Sequence, residues 1–288
     1  ESWQKQDEFV KKWNTPLVEN EEIIEIPVNQ RTITRRYTDR AISFITENKD
    51  KPFFLYLPHS MPHIPLFVPE DANDTDPKHA YKAVIEHIDA EVGRIAKSIR
   101  ELGLAENTYI IFTSDNGPWL QYGNHGGSAK PLRDGKGTNF EGGQRVPCVM
   151  WAPGRIPAGT SSNELISTMD LLPTIASLAK SEFPEGRKID GLDLSSIVTG
   201  DAPSKRTEFI YYTAQGQLNG IRVGEWKLLL EGKGKKEQGP YLFNLAKDIS
   251  EATNLADKHP DKITELKSRL EELDTEIEKN ARSIWKKN

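Results

Sequence analysis

A single cysteine, Cys148, stands among 288 residues, which excludes an internal disulfide and any thiolate metal cluster. No apolar run approaches the roughly 20 residues needed to span a bilayer. The opening ESWQKQDEFVKKW lacks the apolar core of a signal peptide. A surplus of positive charge is missing too: the net charge is -5 and the lysines and arginines are scattered, so there is no cationic stripe for nucleic acid. Internal repeats and low-complexity tracts are absent. With 36% hydrophobic and 28% charged residues, the composition is that of a mildly acidic globular protein. It is long enough for one large domain or a domain with a smaller companion. A start at Glu1 rather than Met reads as a processed or truncated product.

Residues 1–30 are polar and read as an extended connecting segment. From 31 to 203 helical and strand patterns alternate. Ile33, Tyr37, Ala41, Phe44 and Ile45 share one face of a predicted helix that ends before Pro52, and Val84, Ile88, Val92, Ile95, Ile99 and Leu102 keep the helical period over about 78–102, with Gly103 as its stop. FFLYL (53–57), TYIIFT (108–113) and VPCVMWAP (146–153) are short continuous apolar runs, as in strands covered on both faces. STMDLLPTIASLA (167–179) reads as another helix with Asp170 as cap and Pro173 in its first turn. This order indicates an α/β architecture with a largely parallel sheet, whose ligands sit at the strands' carboxyl ends. From 204 to 288 the pattern changes: EFIYYTA, LNGIRVGEWKLLLE and GPYLFNL suit a small antiparallel sheet. A last helix over about 260–279 packs on that sheet through a stripe of Ile263, Leu266, Leu270, Leu273 and Ile277.

Asp115 and Asn116, in TSDNGP after the second strand run, have two readings. Asp-Asn-Gly is turn chemistry, and it also supplies two oxygen ligands for a hard cation where an α/β sheet presents ligands. His59 and His63 have the spacing of a zinc pair on a helix, but Pro58, Pro62 and Pro65 forbid that helix. His63 is thus either a surface histidine or one aimed rigidly at a substrate. Lys136 lies between Gly135 and Gly137 in a loop of more than 30 residues. Lys130 stands where a phosphate loop needs glycine, so that motif fails; the remaining readings are a flexible exposed loop or an ammonium aimed at an anion. Glu141, Gly142, Gly143 and Arg145 are either solvated or brace the loop by an inward salt bridge. Cys148, in a predicted strand, is expected in the core.

Taken together, PFFLYLPHSMPHIPL, TSDNGP and GGSAKPLRDGKGTNFEGGQRVP, in this order and separation, resemble the second half of the catalytic domain of a type I sulfatase of the arylsulfatase A kind; YLFNLAKDISEATNLA resembles that family's closing segment. The resemblance implies an alkaline-phosphatase-like α/β sheet with helices on both faces, plus a small C-terminal antiparallel sheet with a helix. It implies that Asp115 and Asn116 are ligands of one Ca2+, and that Lys136 and His63 contact sulfate. His125 becomes a weaker candidate for substrate choice. The family's formylglycine nucleophile, made from a Cys or Ser before x-P-x-R, its Asp-Asp metal pair and its Lys-x-His motif have no counterpart here, and all three are expected in a missing N-terminal part of the same protein. The implied substrate is a sulfated small molecule or glycan, and the implied location is secreted or periplasmic. The rival readings are a phosphomonoester or phosphonate hydrolase of the same superfamily, and a non-catalytic sulfoglycan-binding remnant.

Overall fold

The computed structural model describes residues 14–282 apart from 73, 75, 183–185, 187, 201–202 and 233–237. The first 13 residues of the expected connecting segment lie outside the described residues. The chain divides into two compact units, one running to Ile110 with Leu120–Gly127, the other comprising Ile111–Trp119 and everything from Ser128.

Among the described residues the first unit opens with an antiparallel hairpin of β1 (Leu17–Glu19) and β2 (Glu22–Glu25), within the polar segment expected to be extended and connecting. Glu25 and Glu19 pair with Arg36 and Arg40 of helix α1 (Ile33–Glu47). Helix α1 buries Ile33, Thr34, Thr38, Ala41 and Ile45; Phe44, expected on that face, is partly exposed at its rim. Helix α2 (Ala80–Glu101) packs on α1, and its Ala80, Ala83, Val84 and Ile88 form a core with Met61, Leu66, Phe67 and Val68 from the proline-rich loop. Gly103 ends α2 as expected: its φ of +72 turns the chain so that the Leu104 amide donates back to the Ile99 carbonyl at 3.0 Å. Glu91 is buried on α2 because Arg94, at 2.6 Å, and Arg35, at 3.5 Å, balance it.

The 53–57 run corrects one expectation. It joins no sheet among the described residues. Phe53, Leu55 and Leu57 are half-buried, whereas Phe54 and Tyr56 are 66% and 77% exposed. An apolar run supplies side chains for a covered strand but not the ladder partner that makes it one.

In the second unit β3 (Ile110–Thr113) pairs with β4 (Cys148–Trp151), as a two-stranded sheet. Cys148 is exposed rather than in the core, and its neighbour Val149 is 61% exposed. As two strands among the described residues, the pair buries less than a wider covered sheet would. Desolvation of the sulfur still raises the thiol pKa, which disfavours the reactive thiolate. After the short helix α3 (Glu141–Gln144) and β4 comes a capped helix. Here Ser167 is the N-cap of a 3-10 turn (Thr168–Asp170) leading into α4 (Leu171–Leu178). Asp170 is the N-cap residue of α4 as expected, though its side chain makes no cap bond there; it closes the capping box of the preceding turn by accepting from the Ser167 amide at 2.8 Å. Its buried carboxylate also takes a two-pronged pair from Arg206 at 2.9 and 2.5 Å.

Past a short helix α5 (Ser195–Val198), strands β5 (Glu208–Tyr212), β6 (Leu218–Val223), β7 (Trp226–Glu231) and β8 (Gln238–Asn244) form an antiparallel sheet in sequence order, as the sequence predicts. Helix α6 (Pro260–Asn280) covers one face: its Leu266 and Leu270 pack on Ile221, Leu228 and Leu242. The period of two sends Tyr211, Leu229 and Phe243 to the opposite face, which Phe140 covers from the loop before α3. Both faces therefore carry an apolar cluster. Arg269 of α6 adds a forked pair to Glu208 at 2.9 and 2.7 Å.

Candidate active site

Asp115, Asn116 and Gly117 follow β3 in a turn braced by side chains: Ser114 Oγ donates to the Asn116 carbonyl at 3.0 Å, and Thr113 Oγ1 to the Pro147 carbonyl at 3.0 Å. The Gly117 amide donates to the Gly143 carbonyl at 3.1 Å, and a Cβ on Gly117 would sit 1.8 Å from the Gly142 oxygen. No other residue fits that contact without displacing backbone. The EGG turn is packed as tightly on its other side. The Gly142 amide donates to the Arg133 carbonyl at 2.8 Å, and a Cβ there would meet the Asp134 oxygen at 2.2 Å. The glycines thus serve close backbone approach rather than flexibility.

Lys136 is held against the same turn. Its amide donates to the Pro118 carbonyl at 2.8 Å, and its Nζ lies 5.0 Å from the centre of the Trp119 ring. The loop carrying Lys136 is thereby fixed to the residues that directly follow Asp115 and Asn116. His63 and His125 belong to the other compact unit. His63 is exposed, and its Nδ1 donates to the Ile64 carbonyl at 2.7 Å, which fixes the proton on that nitrogen in the neutral ring. His125 Nε2 donates to the Pro77 carbonyl at 2.8 Å, tying its loop to the turn that starts α2. His59 does not join His63 as a metal pair. It is half-buried, its Nδ1 has no hydrogen-bond partner among the described residues, and burial lowers its pKa, with Glu91 opposing; His87 on α2 is lowered likewise.

Asp115 and Asn116 offer oxygen donors only, from an exposed and a half-buried position at the end of a strand. Among the described residues no three His, Cys, Asp or Glu side chains gather as a metal-binding group. This donor set fits one side of a hard-cation shell, which takes six to eight oxygens when the ion is calcium, and does not fit a transition-metal centre.

Sequence reasoning missed what holds this arrangement from behind. Glu141 points inward, as one of its two readings had it, to Lys227 of β7 at 2.8 Å, while Arg145 is exposed. Lys227 also meets Glu251 at 2.9 Å, and Glu251 accepts from the Glu141 amide at 2.6 Å. A lysine in the middle of the apolar strand WKLLLE was the available signal.

A family model described as Sulfatase matches residues 1–181, and one described as N-sulphoglucosamine sulphohydrolase, C-terminal, matches 135–278. The chain belongs to the sulfatase family. It is 37% identical over 226 residues to N-acetylgalactosamine-6-sulfatase of Canis lupus familiaris, covering 74% of this chain and 43% of that protein. To arylsulfatase G of Homo sapiens it is 32% identical over 268 residues, covering 83% and 51%. Among solved structures, that of Ps i-CgsB in complex with k-i-k-neocarrahexaose is similar with a TM-score of 0.77 at 28% identity, over 94% of this chain and 62% of that one. The fold is alkaline-phosphatase-like, with the antiparallel sheet at its C-terminal end. This sulfatase chain spans about half the length of the curated relatives it matches.

Proposed function

We propose that the protein to which this chain belongs hydrolyses sulfate esters, and that Asp115, Asn116, Lys136 and His63 are its contribution to the active site. The observation that carries this is the Lys136–Pro118 backbone bond, which anchors a loop ammonium directly after two oxygen-bearing residues at a strand end. Negative charge grows on the nonbridging oxygens of a sulfate ester under attack and on the departing oxygen. The Lys136 ammonium is a point charge suited to the first; His63, whose Nδ1–H is engaged by the Ile64 carbonyl, would donate a proton to the second from Nε2 in its doubly protonated form. Asp115 and Asn116 would hold one side of a calcium ion, which when bound polarises sulfate oxygens. The nucleophile of this scheme is a hydrated formylglycine outside these 288 residues, since no Cys-x-Pro-x-Arg occurs in them. His125 is the weaker candidate for contact with the group that carries the sulfate.

The substrate class in this reading is an aryl or carbohydrate sulfate, and the location is secreted or periplasmic. The rival phosphomonoesterase is separated by one comparison. Full-length protein from the native source is assayed with 4-nitrophenyl sulfate and 4-nitrophenyl phosphate, with and without a calcium chelator. Chelator-sensitive turnover of the sulfate, well above that of the phosphate, is expected; preference for the phosphate would replace the proposal with its rival. Binding of sulfated glycan without turnover of either would leave the non-catalytic reading.

A further inference from the structure

Lys227, Glu141 and Glu251 are among the least exposed charged side chains of the protein, at 0%, 2% and 0%. Burying ions costs several kcal/mol each unless partners compensate. Here one ammonium lies 2.8 Å from one carboxylate and 2.9 Å from the other, above the Tyr211 ring at 4.9 Å. Arg222 Nη1 stands 4.0 Å from the second oxygen of Glu141. Burial raises the Glu251 pKa, with Lys227 opposing, so the second carboxylate is held there against its own desolvation. A hydrophobic trio would have filled this space at less cost. The three residues come from different places: Lys227 from the C-terminal sheet, Glu251 from the loop after it, Glu141 from the turn behind the candidate site.

The tie continues forward without a gap. Glu141 leads into Gly142 and Gly143, whose backbone seats Gly117, next to Asn116, and the Arg133 carbonyl. Arg133, three residues before Lys136, donates from Nη1 to the Glu251 carbonyl at 3.0 Å, and its guanidinium lies 3.9 Å from the centre of the Phe140 ring. The turn bearing Asp115 and Asn116 is therefore fastened to the C-terminal sheet through Glu141 and this buried ionic group, and the loop bearing Lys136 through backbone bonds to the same turn and the Arg133 bond to the Glu251 carbonyl.

We infer that Lys227 and Glu251 are positioning residues for the sulfate site, and that the C-terminal sheet is the rigid support that sets where Lys136, Asp115 and Asn116 stand. This rests on the sulfatase reading above. Neither residue touches substrate. Their effect is on the placement of groups that do, and a displacement of about 1 Å at such groups can cost about 100-fold in rate.

The test uses full-length protein and two variants. Lys227→Met takes from two buried carboxylates the ammonium they share, leaving only Arg222, among the described residues, at 4.0 Å from Glu141, and is expected to lower the melting temperature. The neutral variant Lys227→Met, Glu141→Gln, Glu251→Gln removes the ions together; such replacements are commonly tolerated, so it keeps the fold while removing the ionic part of the tie and leaving the Arg133 bond to the Glu251 carbonyl in place. In this second variant, hydrogen exchange over 115–119 and 133–145 is expected to quicken at least tenfold, while β6 and β7 keep wild-type protection. Its kcat on an aryl sulfate is expected to fall on the order of 100-fold with KM little changed. Wild-type exchange and wild-type kcat in a folded neutral variant would overturn the inference. So would equal quickening in the sheet and the loops, which marks general loosening. If the wild type itself turns over no sulfate ester, the functional reading falls, and the exchange measurement still decides whether this ionic group holds the loops.

Discussion

The β3–β4 pair, IIFT and CVMW, is more apolar in sequence than the four-stranded sheet, yet the sheet carries an apolar cluster on each face and the pair leaves Phe112 and Val149 in solvent. The difference lies in what the rest of the chain brings to each. The β5–β8 sheet has α6 on one side and Phe140 on the other, and even its buried Lys227 meets two carboxylates. The β3–β4 pair carries the candidate site at its end and spends few side chains on burial. Its rigidity comes from backbone contacts at Gly117, Gly142 and Gly143 instead. Stability and site precision thus have separate sources in this protein, joined at Glu141.

Mutations can break that contrast. Leu228→Ala, fully buried between β6, β8 and α6, is expected to destabilise by about 2–5 kcal/mol in denaturant unfolding followed by tryptophan fluorescence. Ser167→Ala removes the cap of the 3-10 turn that leads into α4 and is expected to cost about 1 kcal/mol. Val149→Ala, on the exposed face of β4, is expected to stay within about 0.5 kcal/mol. A large effect at Val149 would show that its face is covered in the intact protein.

Buried charge sharpens the comparison, because His59 and His87 contrast with Lys227. Each buries a ring nitrogen without a hydrogen-bond partner among the described residues, and burial holds both pKa values below the free value of 6.5 despite the opposing Glu91 carboxylate. As pH falls the unfolded chain takes up these protons first. Their contribution to stability is therefore complete above about pH 6.5 and is lost as pH drops through the lowered folded values. Replacing both with Gln is expected to flatten the melting temperature of the first unit between pH 7 and 5, measured by calorimetry.

Much of the fold was legible because helical period and strand alternation are local. The run from Val84 to Leu102, the β5–β8 strands and the Leu266–Leu270 stripe all read correctly for that reason. Pairing is not local. FFLYL and Cys148 were misread because nothing within those segments tells whether a neighbouring strand or a covering layer exists. Asp170 stands at the expected N-cap position of α4, but its carboxylate turns back to the Ser167 amide and to Arg206, 36 residues away, a pairing that the local sequence does not reveal. At the candidate site the residue types were visible in TSDNGP and RDGKG. The support behind them was not, since Glu141, Lys227 and Glu251 are brought together only by the C-terminal sheet.

The most direct measurement is the turnover of 4-nitrophenyl sulfate by full-length protein carrying Lys136→Ala, beside wild type, at saturating calcium. A fall in kcat on the order of 100- to 1,000-fold, with calcium affinity unchanged, is expected if this ammonium stabilises charge on the sulfate. Wild-type kcat in a folded Lys136→Ala protein would remove Lys136 from the chemistry, and with it the claim that its loop and the Asp115–Asn116 turn form one site.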